Sequence, residues 1–246
     1  MKKSRRLTRR DKVAMEQRQL IQDVVIDFPD QMHPPRPTHI QPKNEKQQSL
    51  LNAIKKYPIT FTIGCAGTGK TYCSTSMIAS LYLSGRYDKI ILSRTNVPTG
   101  RSLGHFPGSV QEKMAPWLLP ITSVLESYFG PGFYKYLTSK NIIEIQPLET
   151  IRGRSYENSL VIIDECQNLT FDEIKAITTR LGENSKMVLC GDPAQADTNN
   201  GRDILKFVSL CKKHNIDIPI IEFGVDDIVR SDIVAKIVRM LMAEEL

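Results

Sequence analysis

One octapeptide constrains this chain more than any other feature. Residues Gly64-Cys65-Ala66-Gly67-Thr68-Gly69-Lys70-Thr71 read G-x-x-x-x-G-K-[ST]. The β-branched run at 59–63 before them predicts a strand, and the pattern at 70–84, closed by Gly85, predicts a helix. Glycines let a backbone turn tightly enough for its N–H groups to surround a phosphate. The following helix aims its positive end at the same point. In this reading Gly64, Cys65, Ala66, Gly67, Thr68 and Gly69 form the cradle, and Lys70 reaches the β- and γ-phosphates of ATP. Thr71 then offers its hydroxyl to Mg²⁺. A glycine-rich turn matching by chance is the alternative, and the strand–loop–helix context weighs against it.

The rest of the chain sets this loop in an alternating pattern. Short apolar runs at 59–63, 89–93, 142–146, 160–163, 187–190 and 218–223 predict strands. Helical patterns at 46–56, 70–84, 171–181, 202–213 and 231–242 separate or follow them. A further helical stretch at 110–128 is broken by Pro116 and Pro120. Strands apolar on both faces and alternating with helices imply a mostly parallel sheet covered on both sides. The expected fold is therefore α/β, a RecA-like P-loop NTPase with a small helical insertion. Trp117, Tyr128, Phe129 and Tyr134 fit the core of that insertion better than a base-stacking platform.

Two further motifs fall at strand ends. Leu160-Val161-Ile162-Ile163 runs into Asp164-Glu165, about ninety residues beyond the glycine loop. In α/β sheets ligands collect at the carboxyl ends of the strands, so the first and fourth strands are expected to emerge side by side there. There Asp164 would hold Mg²⁺ through water, and Glu165 would act as general base on the attacking water. The third motif is Gly191-Asp192-Pro193-Ala194-Gln195, where Gln195 could meet the γ-phosphate or that water. A Gly-Asp-Pro turn without a ligand is its alternative.

Taken in this order, the motifs resemble helicase superfamily 1, and more finely the PhoH-like ATPases. The resemblance covers about residues 44–240. It rests on GCAGTGKT, on RTNVPTGRSLGHFPG at 94–108, on Ile151-Arg152-Gly153-Arg154-Ser155, on Asp164-Glu165-Cys166-Gln167-Asn168, on Thr179-Arg180-Leu181-Gly182 leading to GDPAQ, and on Val229-Arg230. It implies a RecA-like core that works on nucleic acid, RNA ahead of DNA. It also implies that Gln47 reads the adenine edge, an exposed helical glutamine being the alternative. Arg94, Asn96, Thr99 and Arg101 would touch a single strand, with a solvated loop as the other reading, and Arg152 and Arg154 could join them.

Arg152, Arg154 and Arg230 are candidates for the cation that a γ-phosphoryl transition state requires. Two RecA-like domains would need roughly 300 residues or more, and this chain has 246. A neighbouring subunit is therefore expected to supply the arginine, in a head-to-tail homo-oligomeric ring of roughly six. The alternative for Arg230 is an ion pair with Asp226, Asp227 or Asp232.

Charge divides the chain in two. Residues 1–43 hold ten Lys or Arg against five Asp or Glu, so the net charge of +6 lies mostly there. With five prolines between 29 and 42, this part reads as a basic extension, either solubilising or attracted to phosphate backbones. Residues 44–246 read as the ATPase domain. The five cysteines lack metal-site spacing and suit reduced thiols in the cytoplasm. No apolar run approaches the length that spans a membrane. Three functions compete: an ATP-driven motor on single-stranded nucleic acid, an ATP-dependent switch or scaffold without motor activity, and a small-molecule kinase. The kinase would leave Glu165 and Gln195 without a purpose.

Overall fold

Valine, isoleucine and leucine dominate the short runs, and runs of this kind pack on both faces of a sheet. The computed structural model describes residues 40–95, 113–151, 153–196 and 201–243. Six strands form one sheet: β1 (Ile59–Gly64), β2 (Lys89–Arg94), β3 (Ile143–Ile145), β4 (Ser159–Asp164), β5 (Lys186–Gly191) and β6 (Ile220–Phe223). All neighbours pair in parallel, in the order β3-β2-β4-β5-β1-β6.

Alternation along the strands sorts side chains into two layers. Ile90, Leu92, Leu160, Ile162 and Val188 face α1 (Glu45–Lys56), α2 (Lys70–Leu83) and α3 (Leu119–Phe129), meeting Leu50, Ile54, Ile78 and Leu125. Phe61, Ile63, Val161, Ile163 and Leu189 face the other way, onto α6 (Phe171–Thr178) and α7 (Gly201–Lys213). Each fully buried aliphatic side chain contributes about 1.5–3 kcal/mol. The four inner strands are therefore the rigid part of the molecule, and their carboxyl ends are fixed points.

Between β2 and β3 lies the helical insertion. Pro116 sits in a 3₁₀ turn (Ala115–Leu118) and Pro120 in the first turn of α3, so both prolines start helical segments. A second helix, α4 (Pro131–Ser139), follows at once. The helical pattern read from the sequence ends at 128 and does not include this helix. Gly130 does stop α3, at φ 79°, but Pro131 opens α4 in its first turn. Phe129 is the hub of the insertion, with rings of Tyr82, Tyr128 and Phe133 edge-on to it at 5.7–5.9 Å. The aromatic cluster is thus a core. A four-residue turn of helix, α5 (Leu148–Ile151), follows β3, and α8 (Asp232–Ala243) ends the described chain.

One expectation needs correcting. The glycine-loop strand and the carboxylate strand were expected side by side. Instead β5 lies between them, pairing Phe61 with Leu189 on one edge and Ile162 with Val188 on the other. Among the described residues no helix is long and apolar enough to cross a membrane.

Candidate active site

The loop after β1 is shaped by backbone conformations that side chains oppose. Gly64, Gly67 and Gly69 have φ of 122°, 80° and 86°. A Cβ on Gly64 would lie 2.0 Å from the Phe223 carbonyl oxygen, so only glycine lets the loop leave β1 beside β6. The Thr68 hydroxyl closes the loop onto the Cys65 carbonyl at 2.9 Å. Lys70 follows at the first position of α2 and donates to the carbonyls of Gly64 (2.5 Å) and Cys65 (2.7 Å). Its ammonium is buried, which pushes its pKa down, and the Asp192 carboxylate nearby works against that.

Gln47 supports the loop from behind. Asn44 caps α1 by accepting the Gln47 N–H at 2.8 Å. The Gln47 amide then donates to the Thr68 carbonyl at 2.9 Å and accepts from the Lys43 N–H at 2.8 Å. At 3% exposure it is no solvated helical glutamine. Its side chain braces the cradle and lines the cleft beside it.

The carboxylates meet this loop from across β5. Thr71 Oγ1 donates to Asp164 Oδ1 at 3.2 Å. Two strand spacings, about 10 Å, separate β1 from β4. The gap is bridged because the glycine loop and the start of α2 lean over the end of β5. Gly191 makes room for the segment after β4, since a Cβ there would sit 2.7 Å from Cys166 Sγ and 3.0 Å from the Gln167 nitrogen. Burial raises the Asp164 pKa, the Glu165 charge raises it further, and Arg94 and the Thr71 hydroxyl oppose both.

Glu165 stands just past the strand in a left-handed conformation, φ 55° and ψ 38°. Its Oε1 accepts from Arg94 Nη2 at 3.0 Å and its Oε2 from Gln167 Nε2 at 2.6 Å. Gln167 Oε1 in turn accepts the Asp192 N–H at 3.0 Å, tying the ends of β4 and β5 together. Asp192 is buried, and burial raises its pKa. Lys70 and the N–H groups of Ala194 and Ala66 lower it again. Gln195 follows, exposed, in a 3₁₀ turn (Pro193–Gln195).

Gln47, Gly67, Lys70, Thr71, Asp164, Glu165, Gln195 and Arg230 line one cleft of about 730 Å³, a size suited to a nucleotide-scale ligand. Arg230 reaches it from its own chain. The Val229 N–H donates to the Gly67 carbonyl at 3.1 Å, and a Cβ on Gly67 would meet Arg230 Cδ at 3.0 Å. Two of the ion pairs considered for Arg230 are not formed. Asp226 lies 3.8 Å from Arg239, and the Asp227 carboxylate accepts the Gly224 N–H. Arg154 is elsewhere, 3.4 Å from Glu144 on edge strand β3, roughly 19 Å in strand spacings from β1. Arg94 faces the carboxylates and lines the same cleft. Asn96, Thr99, Arg101 and Arg152 lie outside the described residues.

The donor set fits Mg²⁺ and a triphosphate. A hydroxyl and one carboxylate face the cradle, and such oxygen donors suit an ion that keeps several waters and borrows phosphate oxygens. Among the described residues no group of three His, Cys, Asp or Glu could hold a metal by itself. Asp192 and Gln167 stand in the quoted motifs without a role of their own, and the contact of Arg94 with Glu165 was not foreseen. Only the contact between segments far apart in the chain reveals them.

The model of the PhoH-like protein family matches residues 39–242. A PhoH-like protein of Bacillus subtilis is 39% identical over 200 residues, 81% of this chain and 63% of that protein. The PhoH-like protein of Synechocystis is 38% identical over 161 residues, 65% and 49% of the two chains. Protein PhoH of Escherichia coli is 36% identical over 196 residues, covering 77% and 54%. The chain thus spans about half to three-fifths of the length of these relatives.

Proposed function

The chain belongs to the PhoH-like protein family, and from that premise we propose that it is a Mg²⁺-dependent ATPase coupled to single-stranded nucleic acid, RNA ahead of DNA. The observation that carries this reading is the 3.2 Å contact of Thr71 with Asp164, with Glu165 beside it and Lys70 at the mouth of the same loop.

The chain's residues divide the work. The N–H groups of the glycine loop and the start of α2 bind and orient the phosphates. Lys70 neutralises charge on the β- and γ-phosphates, exchanging its two carbonyl contacts for phosphate oxygens. Thr71 and Asp164 would hold Mg²⁺, which supplies Lewis-acid charge neutralisation when bound. Glu165 keeps a lone pair on each oxygen beside those taken by Arg94 and Gln167, so it can accept a proton from water attacking the γ-phosphorus. Gln195, which lines the same cleft, would orient that water or follow loss of the phosphate.

Arg230 would serve its own cradle. Its place over Gly67 supports this reading ahead of supply by a neighbour. Self-association draws its support instead from α8, where Ile233, Ile237 and Met240 form an exposed apolar stripe. Nucleic-acid coupling draws support from the basic residues of 1–43 and the family resemblance at 94–108.

The test is turnover of the full chain, of known native mass, with and without single-stranded RNA or DNA. Expected are Mg²⁺-dependent hydrolysis, stimulation by RNA that fades with salt, and a loss of about a hundredfold in Glu165→Gln. Hydrolysis indifferent to any polynucleotide would reject the motor and leave a nucleotide-driven switch. No hydrolysis under any condition would reject the ATPase.

A further inference from the structure

We propose that Arg94 is a positioning residue for the general base: it holds the Glu165 carboxylate in its working orientation and anchors it to the helical insertion. The inference rests on the reading of Glu165 given above and adds a residue to that same chemistry.

Arg94 is the last residue of β2, and its Cα pairs in register with that of Asp164. The parallel register therefore delivers the guanidinium to the carboxylates. Its Nη2 donates to Glu165 Oε1 at 3.0 Å, and its Nη1 donates to the Trp117 carbonyl at 2.8 Å. Nη1 is also 3.8 Å from Asp164 Oδ2. A planar fork of donors can bridge two acceptors on separate elements, which a single ammonium does poorly.

The neighbouring residues complete a clamp. Thr95 fixes the backbone, its hydroxyl donating to the Glu165 carbonyl at 2.6 Å and its N–H to the Asp164 carbonyl at 3.3 Å. Gln167 takes the second carboxylate oxygen. Each oxygen thus has a donor on one side and keeps a lone pair on the other, so the carboxylate cannot swing freely. The left-handed backbone of Glu165 is a conformation that persists only where surrounding contacts enforce it. The contacts from β2 and from Gln167 do so here.

A different role for Arg94 makes different predictions. Were it a contact to a nucleic-acid strand, its loss would weaken strand binding and leave basal turnover intact. As a positioning residue its loss lowers kcat without polynucleotide, because a slightly misplaced base costs heavily. KM for ATP should change much less than kcat, since its hydrogen bonds go to Glu165 and Trp117 and not to the phosphate cradle.

The experiment is a double-mutant cycle on basal ATP turnover of the full chain. Arg94→Ala should lower kcat about tenfold or more, and Arg94→Lys should restore only part of it. Arg94→Ala with Glu165→Gln should be no slower than Glu165→Gln alone, because both act through one carboxylate. Thermal melting of each variant identifies a misfolded one. If Arg94→Ala fails to fold, Arg94→Lys carries the same comparison. A wild-type kcat in Arg94→Ala, or multiplicative losses in the double variant, would overturn the proposal. A wild-type chain without any turnover would instead refute the ATPase reading, and this inference with it.

Discussion

Gly191→Ala tests whether the ends of β4 and β5 are built as one unit. Gly191 is buried at the end of β5 with the segment after β4 lying across it. A methyl group there would meet Cys166 Sγ at 2.7 Å, Gln167 Oε1 at 2.8 Å and the Gln167 nitrogen at 3.0 Å. Comfortable separations are about 3.5–4.0 Å, so these groups must retreat by up to roughly 1 Å. The Gln167 side chain could turn away, but its backbone cannot move without drawing Glu165 with it. Overpacking of this kind costs about 1–3 kcal/mol. Loss of the Gln167–Asp192 hydrogen bond adds on the order of 1 kcal/mol. At about 2–4 °C per kcal/mol for a chain of this size, the melting temperature should fall by roughly 5–15 °C. ATP turnover should fall by about tenfold or more where the variant is still folded. Adding Cys166→Ala should recover part of the stability, by freeing the sulfur's space, but little of the turnover. Circular-dichroism melts and steady-state hydrolysis give both numbers. A melting temperature within about 1 °C of wild type, with normal turnover, would refute the packing argument.

Two further predictions separate parts of the account. Arg230→Ala mixed with Lys70→Ala subunits should stay inactive, because each site draws Arg230 from its own chain; activity recovered on mixing would mean that a neighbour supplies it. Asp164→Asn should abolish turnover and raise the melting temperature at neutral pH by about 2–4 °C, equivalent to about 1 kcal/mol. The sign follows from the Asp164 carboxyl being held above its ordinary value by burial and by Glu165. Above that raised pKa the folded chain bears the full penalty of the buried charge. As pH falls through it toward the unfolded value near 4, the penalty disappears. The advantage of the asparagine should therefore shrink as the solution is acidified, and a growing advantage would contradict it.

How far the sequence revealed this site depended on whether a feature is local. The glycine loop is local: spacing, preceding strand and following helix lie within about twenty-five residues, and the structure follows that reading closely. The strand that ends at Asp164, just before Glu165, was equally plain, because an uninterrupted apolar run has few other fates. Strand order was not, since nothing in the residues of β5 says that it pairs on both edges. Helix α4 was hidden by Gly130-Pro131, a pair that can end one helix and begin another with the same chemistry. The Arg94 contact with Glu165 joins residues 71 positions apart and exists only because β2 and β4 pair in register. Arg230 is farther still from Gly67 in the chain, and only the fold brings the two together. Gln47 was placed at the nucleotide, but not as the brace beneath Thr68, because that bond requires α1 to fold back against the loop.

The central claim is that a nucleoside triphosphate is gripped by the loop from Gly64 to Thr71. Titration calorimetry with Mg²⁺–ATP tests it directly on wild-type protein and on Lys70→Ala. The account predicts saturable heat at one site per chain, and affinity at least about tenfold weaker in Lys70→Ala, as expected for loss of a charge-assisted contact worth about 1.5–3 kcal/mol. No heat with the wild-type chain, or equal affinity in both proteins, would contradict it.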